Sequence, residues 1–189
     1  MRKIPSSYDN PIDNIIINLC EYSSEIFKNL GLTPNILTTI SLLLAIFSII
    51  LFYYDYYILS AIVFFISYIF DCCDGHYARK YNMVTKFGCY YDHMSDTLKY
   101  ILFGIVMFYK SKTRFFIILP IFLALFCLSL IHTGCMEIYT DQSIQSQSLY
   151  YFQSFCPTNP EIALNYTKFF GFGTFNIIFL LFIISYSFK

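Results

Sequence analysis

The sequence predicts an all-α membrane protein, a polytopic bundle of five to six transmembrane helices preceded by an amphipathic helix at the membrane interface. Hydrophobic residues make up 57% of the chain and charged residues only 13%, well below the quarter that is usual in soluble domains. The apolar residues are gathered into runs of about 20, the length that crosses a bilayer as a helix. The formal net charge is zero, so the composition gives no indication of a nucleic-acid partner.

The first predicted element is an amphipathic helix over residues 13–30. Apolar residues recur every three or four positions from Ile15 to Leu30, and polar residues fall on the opposite face. Because a membrane span follows at once, we expect this helix to lie in the interface plane. An ordinary packed surface helix is the alternative. We therefore divide the chain into an interfacial segment, residues 1–31, and a membrane domain, residues 32–189.

Gly31 and Pro34 separate this helix from the first membrane span. The apolar run that ends at Phe70 is too short to cross a bilayer, so its helix must continue through Asp71 to Arg79. The more polar stretch 134–167 is predicted to be a loop with one short helix near 148–155, and a sixth span would have to come from it. The five predicted spans cover residues 35–54, 58–79, 88–109, 114–133 and 169–187.

If five spans alternate, most basic residues fall at the end of the bundle that carries Asp71, and a smaller group falls in the 110–114 turn. The positive-inside rule then places Asp71 on the cytosolic side. The seven cysteines are scattered and include no C-x-x-C pair, so they predict free, mostly buried thiols rather than a zinc site.

Four aspartates lie at one end of the second and third spans. Asp71 and Asp74 share one helix face, and Asp92 and Asp96 share one face of the next helix. A carboxylate at the centre of a bilayer costs about 2.5–3.5 kcal/mol, so these residues are expected to have a function. The turn between the helices brings the acids into one pocket, where like charges repel unless cations neutralise them. All-oxygen ligands are suited to Mg²⁺ or Mn²⁺.

The residues between the acids indicate the substrate. Gly75 leaves room for a substrate to approach the backbone, and Gly88 opens the third span where two helices come close. Arg79 offers a fork of donors suited to phosphate. Acids, metal and arginine together favour phosphoryl chemistry on a pyrophosphate, because bound metals neutralise charge on the leaving group.

The spacing D-x-x-D-G-x-x-A-R, eight residues, G-x-x-x-D-x-x-x-D resembles the signature of the class I CDP-alcohol phosphatidyltransferase family. The opening of the first span, Pro34-Asn35-x-x-Thr38, is similar to that family as well. The resemblance covers roughly residues 13–130. The eight signature positions are Asp71, Asp74, Gly75, Ala78, Arg79, Gly88, Asp92 and Asp96.

The resemblance implies a membrane transferase of phospholipid biosynthesis, which moves a substituted phosphate from a CDP-linked donor to an alcohol and releases CMP. It implies two Mg²⁺ or Mn²⁺ ions held by Asp71, Asp74, Asp92 and Asp96, with Asp96 also the general base. It further implies a homodimer. The implied CDP-binding residues are Asn35, Thr38, Gly75, Ala78, Arg79, Thr85 and Gly88.

The donor and acceptor stay open at this point. The residues between Arg79 and Gly88 resemble the glycerophosphate branch of the family and favour CDP-diacylglycerol as donor. The words Asp-Gly-His and Thr-Lys-Phe-Gly resemble inositol phosphatidyltransferases. Asp92-His93-x-x-Asp96 instead resembles choline and ethanolamine phosphotransferases, whose acceptor is diacylglycerol. His76 and His93 are interpreted as pocket neighbours. Outside this enzyme class, the alternatives are a cation-binding membrane protein and a non-catalytic membrane scaffold.

Overall fold

The structure, a computed structural model, describes residues 2–140, 147–157 and 159–188. The described part is helical and contains no strand, which confirms the predicted all-α class. Two 3₁₀ segments, Gln147–Phe155 and Lys168–Phe170, lie in its C-terminal third. The α-helices are α1 (Pro11–Asn29), α2 (Pro34–Tyr53), α3 (Tyr57–Lys80), α4 (Lys86–Lys110), α5 (Lys112–Tyr139), α6 (Pro160–Thr167) and α7 (Phe172–Ser185).

The helix boundaries follow from capping residues. Asn10 and Thr33 accept backbone hydrogen bonds at the starts of α1 and α2, and a proline occupies the first turn of each helix. Thr85 caps α4 in the same way by accepting from the Gly88 amide. Gly31 has φ +67°, the left-handed conformation that commonly ends a helix, as the sequence predicted for this position.

Four helical stretches of the described chain are long and apolar enough to cross a membrane: α2, α3, α5 and the stretch Pro160–Ser185. The third predicted span corresponds to α4, which is not among these four stretches. It has 25 residues but carries several charges, most of them in its first half. One predicted boundary is wrong, because the fourth span runs on to Tyr139 rather than ending at 133. The last predicted span, 169–187, corresponds to α7, and the apolar stretch Pro160–Ser185 also includes α6 and the 3₁₀ turn before α7. The predicted short helix near 148–155 is present as a 3₁₀ segment.

Helices α2 and α3 form an antiparallel pair at the centre of the fold. Ser41 and Ser67 each donate a hydroxyl hydrogen bond to the other's carbonyl oxygen, at 2.8 and 2.7 Å. Ser48 and Ser60 repeat this exchange further along the pair, at 2.7 and 2.8 Å. Small side chains let two membrane helices approach closely, and their hydroxyls add hydrogen bonds between the helices. The two serine pairs therefore fix the register that sets Asp71 opposite α2.

An aromatic cluster closes the other half of the bundle. Phe64 of α3 lies with its ring centroid 5.2 Å from that of Phe103 of α4 and 5.1 Å from that of Phe179 of α7. These rings are almost fully buried and meet edge to face or tilted, the arrangements that aromatic quadrupoles favour. The cluster holds α7 against α3 and α4.

Helix α1 turns its predicted apolar face outward. Ile15 is 72% exposed and Tyr22 is 80% exposed, whereas Ile16 and Cys20 are buried against the bundle. Asp13 anchors the inner face, because its carboxylate accepts hydrogen bonds from the Tyr68 hydroxyl and from the Gly173 amide. The outward face is therefore available to lipid.

The prediction of free thiols is wrong for four of the seven cysteines. Cys20 of α1 is bonded to Cys73 of α3, and Cys135 of α5 is bonded to Cys156. In each pair the two Cα atoms are 4.9 Å apart, within the range that a disulfide requires. The partners are distant in sequence and meet only because α1 lies across α3 and the 3₁₀ segment folds back on α5. The free cysteines are Cys72, Cys89 and Cys127.

Candidate active site

Three of the four predicted acids meet at one point between α3 and α4. Asp71, Asp74 and Asp92 each offer a carboxylate oxygen, and these oxygens lie within 4.8 Å of one another. The turn that joins the helices passes through Asn82 at φ +56°, a left-handed conformation in which asparagine is enriched. The sequence predicted that two acids from each helix would share one pocket. Three of these four acids meet at this point.

Asp74 is held by the neighbouring helix α2. The Thr38 hydroxyl donates a hydrogen bond of 2.5 Å to Asp74 Oδ2, and the Asp74 side chain is almost fully buried. Thr38 was predicted only as a CDP-site residue. In the structure Thr38 orients an acid.

The three acids are suited to a divalent cation. Carboxylate oxygens are the ligands that Mg²⁺ and Mn²⁺ prefer, and three of them converge here. Asp92 Oδ1 is buried and has no hydrogen-bond partner among the described residues, which is costly for a carboxylate unless a cation binds it. Asp92 Oδ2 lies 3.8 Å from Nδ1 of His93.

Asp96 lies outside this three-acid cluster and is joined to it through Lys99. The Lys99 ammonium donates hydrogen bonds to Asp96 Oδ1 at 2.8 Å, to Asp71 Oδ1 at 2.6 Å and to the Ser41 hydroxyl at 2.9 Å. Sequence reasoning missed Lys99. A signal was present, since Lys99 shares a helix face with Asp92 and Asp96 inside a predicted span, where an ionisable residue indicates a functional site.

A small cavity of about 140 Å³ adjoins the acids, and the seven residues predicted to bind CDP all line it. These residues come from α2, from the end of α3 and from the start of α4. Asp74, Asp92, His93 and Lys3 line the same cavity. The seven residues are Asn35, Thr38, Gly75, Ala78, Arg79, Thr85 and Gly88.

The two signature glycines sit at close contacts. A Cβ at Gly75 would lie 3.2 Å from Nη1 of Arg79, so the space beside Gly75 holds the arginine fork. A Cβ at Gly88 would lie 3.0 Å from the Asn35 side-chain oxygen and from the Thr85 hydroxyl. Gly88 therefore allows α4 to approach α2, a contact that the sequence did not identify.

A second and larger cavity, of about 1150 Å³, runs from the acids along α4, α5 and α7. Asp71, Asp92 and Asp96 lie at its polar end. Its walls are mostly apolar and include Leu119 and Phe122 of α5. The acids thus adjoin two cavities, a small one lined by both polar and apolar side chains and a long one that is mostly apolar.

The two histidines of the motif have different surroundings. His93 lines both cavities, as expected for a pocket neighbour. The interpretation of His76 as a pocket neighbour is wrong, because His76 points to α1, where its Nε2 lies 2.6 Å from a carboxylate oxygen of Glu21. Glu21 also pairs with Lys80 at 2.6 Å, and this bond holds the pKa of Glu21 below its usual value. His76 therefore ties α1 to α3.

The segment before α1 contributes a residue to both cavities. Lys3 lines both cavities and forms an ion pair with Glu137, a fully buried residue of α5. Burial lowers the pKa of Lys3, although the Glu137 carboxylate opposes this shift. Burial also raises the pKa of Asp13 to about 7.

Comparison with known proteins gives one family and several partial relatives. The family model described as CDP-alcohol phosphatidyltransferase matches residues 31–186. Archaetidylinositol phosphate synthase of Pyrococcus horikoshii is 38% identical over 81 residues, which cover 42% of this chain and 43% of that protein. CDP-diacylglycerol–glycerol-3-phosphate 3-phosphatidyltransferase of Rickettsia typhi is 40% identical over 74 residues, 38% of this chain and 40% of that protein.

A third relative, the CDP-diacylglycerol–glycerol-3-phosphate 3-phosphatidyltransferase of Wigglesworthia glossinidia brevipalpis, is 32% identical over 90 residues. That match covers 46% of this chain and 49% of the relative. The chain thus spans less than half the length of each of these relatives. No solved structure matches the chain.

Proposed function

This chain belongs to the CDP-alcohol phosphatidyltransferase family, and from that membership we propose that it transfers a substituted phosphate from a CDP-linked donor to an alcohol and releases CMP. The observation that carries the proposal is the convergence of Asp71, Asp74 and Asp92 beside the small cavity. A pyrophosphate bound there would meet the acids at one end and Arg79 at the other. We place the reaction in phospholipid biosynthesis.

CDP-diacylglycerol is the donor that we propose. The relatives from Rickettsia typhi and Wigglesworthia glossinidia brevipalpis carry this lipid in their names. The large apolar cavity offers a place for acyl chains, and it meets the small cavity at Asp92. A CDP group and two acyl chains could then occupy the two cavities at once, with the pyrophosphate between them.

The acids, Thr38 and Arg79 have separate proposed roles. Asp71, Asp74 and Asp92 hold Mg²⁺ or Mn²⁺, which when bound neutralises charge on the phosphates and on the leaving CMP. Thr38 fixes the direction of Asp74. Arg79 lines both cavities and can donate a fork of hydrogen bonds to the pyrophosphate.

Asp96 is the proposed general base. Its side chain is 36% exposed and faces the large cavity, so an acceptor hydroxyl can reach it. Asp96 would take the proton of that hydroxyl as its oxygen attacks the β-phosphorus of the donor, while the bond from that phosphorus to the bridging oxygen breaks and CMP leaves. Proton transfer by a positioned side chain contributes roughly 10²–10⁴-fold to rate.

We also propose how the protein sits in the membrane. The exposed apolar face of α1 supports an interfacial position for residues 1–31, with residues 32–189 as the membrane domain. The distribution of basic residues supports a cytosolic active site, whereas the two disulfides at the same end are typical of an oxidising compartment. Labelling of Cys89 in sealed vesicles with an impermeant thiol reagent identifies the side. A homodimer is proposed from family membership alone.

The direct test is CMP release by the purified full chain in detergent. We expect release from CDP-diacylglycerol with one member of a panel of alcohols, and we expect it to require Mg²⁺ or Mn²⁺. Asp96→Asn should reduce the rate by roughly 10²–10⁴-fold. Asp55→Asn is the matched control, because Asp55 pairs with Lys110 at the opposite end of the bundle.

The other outcomes decide between the alternatives. Release from CDP-choline or CDP-ethanolamine with diacylglycerol, and not from CDP-diacylglycerol, would establish the reverse assignment of donor and acceptor that Asp92-His93 suggests. Absence of CMP release in every arm, with Mn²⁺ still bound, would leave a cation-binding membrane protein. Absence of both CMP release and Mn²⁺ binding would favour a non-catalytic membrane scaffold.

A further inference from the structure

Lys99 is not one of the eight signature residues, yet it lies among the signature acids. Its side chain is only 4% exposed, in the middle of α4, which the sequence predicts to be a membrane span. Its ammonium has three N–H donors, and the structure gives a partner to each: Asp71, Asp96 and Ser41, all within 2.9 Å. Burying a charge is costly even when it is paired, which indicates a role for Lys99.

The ammonium lies where a second cation would be held. Asp71 belongs both to the three-acid cluster and to the group that binds Lys99. A carboxylate shared in this way is what a two-metal site uses to bridge ions about 3.5–4 Å apart. Here the second position, between Asp71 and Asp96, is filled by a side chain of the protein itself.

We propose that Lys99 supplies the second cation of this site, so that the chain binds one divalent ion, at Asp71, Asp74 and Asp92, instead of two. The inference rests on the proposed function and refines its metal requirement. A lysine ammonium is a compact point charge, and its hydrogen bonds to Asp71 and Asp96 exclude a metal ion from the same place. Lys99 then acts as a positioning residue that holds the Asp96 carboxylate beside the metal-binding acids.

The test is the number of Mn²⁺ ions bound, measured by equilibrium binding and electron paramagnetic resonance on the purified full chain. We expect the wild-type chain to bind one Mn²⁺ with an uncoupled spectrum. Lys99→Met removes the ammonium and keeps the length of the side chain, so we expect a second Mn²⁺ and a spectrum with spin coupling between the ions. Lys99→Arg keeps the charge and should bind one ion.

Lys86→Met is the matched control, because Lys86 is exposed at the start of the same helix. It should bind one ion, as wild type does. Two coupled ions in the wild-type chain would overturn the proposal, and so would a single ion in Lys99→Met. If Lys99→Met does not fold, the spectrum of the wild-type chain saturated with Mn²⁺ decides. Spin coupling between two ions would reject the proposal, and an uncoupled spectrum would support it.

CMP release is measured on the same samples as a separate readout. A wild-type chain that binds one Mn²⁺, gains a second in Lys99→Met and yet releases no CMP would reject the proposed enzyme function. The assignment of Lys99 as the second cation would stand in that case.

Discussion

Thr38 of α2 donates a 2.5 Å hydrogen bond to Asp74 of α3, and this bond joins the first membrane helix to the acids on the second. Thr38→Val keeps the shape of the side chain and removes the donor. Loss of a partner that orients a metal ligand typically costs about 10–100-fold in metal affinity. We therefore expect the dissociation constant for Mn²⁺ to rise by about that factor.

Thr38→Ser is the control for this prediction, since it keeps the hydroxyl, and it should bind Mn²⁺ nearly as well as wild type. Calorimetric titration of both variants without nucleotide makes the comparison. Equal Mn²⁺ affinity in Thr38→Val and Thr38→Ser would show that the hydrogen bond does not orient Asp74.

The junction between α1 and α7 has no space for a side chain at Gly173. A Cβ there would lie 2.5 Å from the Asn10 side-chain oxygen and 2.6 Å from an Asp13 oxygen. Asn10 caps α1 and Asp13 accepts the Gly173 amide, so neither can move without losing a hydrogen bond. Gly173→Ala should lower the free energy of unfolding by about 1–3 kcal/mol, as overpacking does.

Thermal unfolding in detergent checks this, with Gly104→Ala as the control. A Cβ at Gly104 meets only Phe115 at 3.9 Å, an ordinary contact. Alanine is also the better helix former, by up to about 1 kcal/mol, so Gly104→Ala should unfold at the same temperature or higher. A Gly173→Ala variant as stable as Gly104→Ala would contradict the geometry of the junction.

Asp13 makes stability depend on pH. Its pKa is raised by burial to about 7, so between pH 4 and pH 7 the folded state binds a proton that the unfolded state has released. The stability from this group is complete below pH 4 and falls as pH rises towards 7. We expect the unfolding temperature to decrease from pH 5 to pH 8.

Asp13→Asn should flatten this dependence, because the amide does not ionise. Tyr68 and Gly173 donate to different oxygens of Asp13, so the single amide oxygen keeps one of these two hydrogen bonds. Asp55→Asn should keep the wild-type slope, because Asp55 is largely exposed at the far end of the bundle. Identical slopes in the wild-type and Asp13→Asn proteins would disprove the raised pKa.

The Cys20–Cys73 disulfide closes a loop of 53 residues between α1 and α3. A cross-link of this length stabilises a folded chain by roughly 2–4 kcal/mol. Cys20→Ala is the informative variant, since Cys73 adjoins Asp74 and Cys20 does not. We expect a lower unfolding temperature in Cys20→Ala and little change in Cys127→Ala, where the thiol is free and exposed.

Peptide mapping without reduction provides the independent check on this disulfide. A linked peptide containing Cys20 and Cys73 is expected from the wild-type chain. Recovery of both cysteines as thiols from protein purified without reductant would refute the bond.

Much of the fold could be predicted from the sequence, because local composition indicates membrane spans and capping residues indicate where helices begin. Helices α2 and α4 start at Pro34 and Lys86, one and two residues before the predicted starts, each directly after its threonine cap. The last predicted span corresponds to α7, whereas α6 before it was not predicted, because its start at Pro160 and Glu161 is polar and hydropathy alone does not identify it.

The site was predictable where it depends on spacing along one helix and unpredictable where helices cross. Asp71 and Asp74, or Asp92 and Asp96, share a face by helical periodicity. The contacts of His76 with Glu21, and of Cys20 with Cys73, depend on how α1 lies across α3, which no local pattern specifies. Lys99 was visible in the sequence, but its two carboxylate partners come from different helices.

Helix α1 is fastened to α3 by a disulfide and by the Glu21 pairs, and to α7 through Asp13. In the proposed interfacial position, α1 would fix the depth of the acids below the membrane surface. Changes in bilayer thickness would then be taken up at the opposite end, where Tyr54 and Tyr56 are exposed. The reacting groups would keep one distance from the aqueous phase in membranes of different thickness.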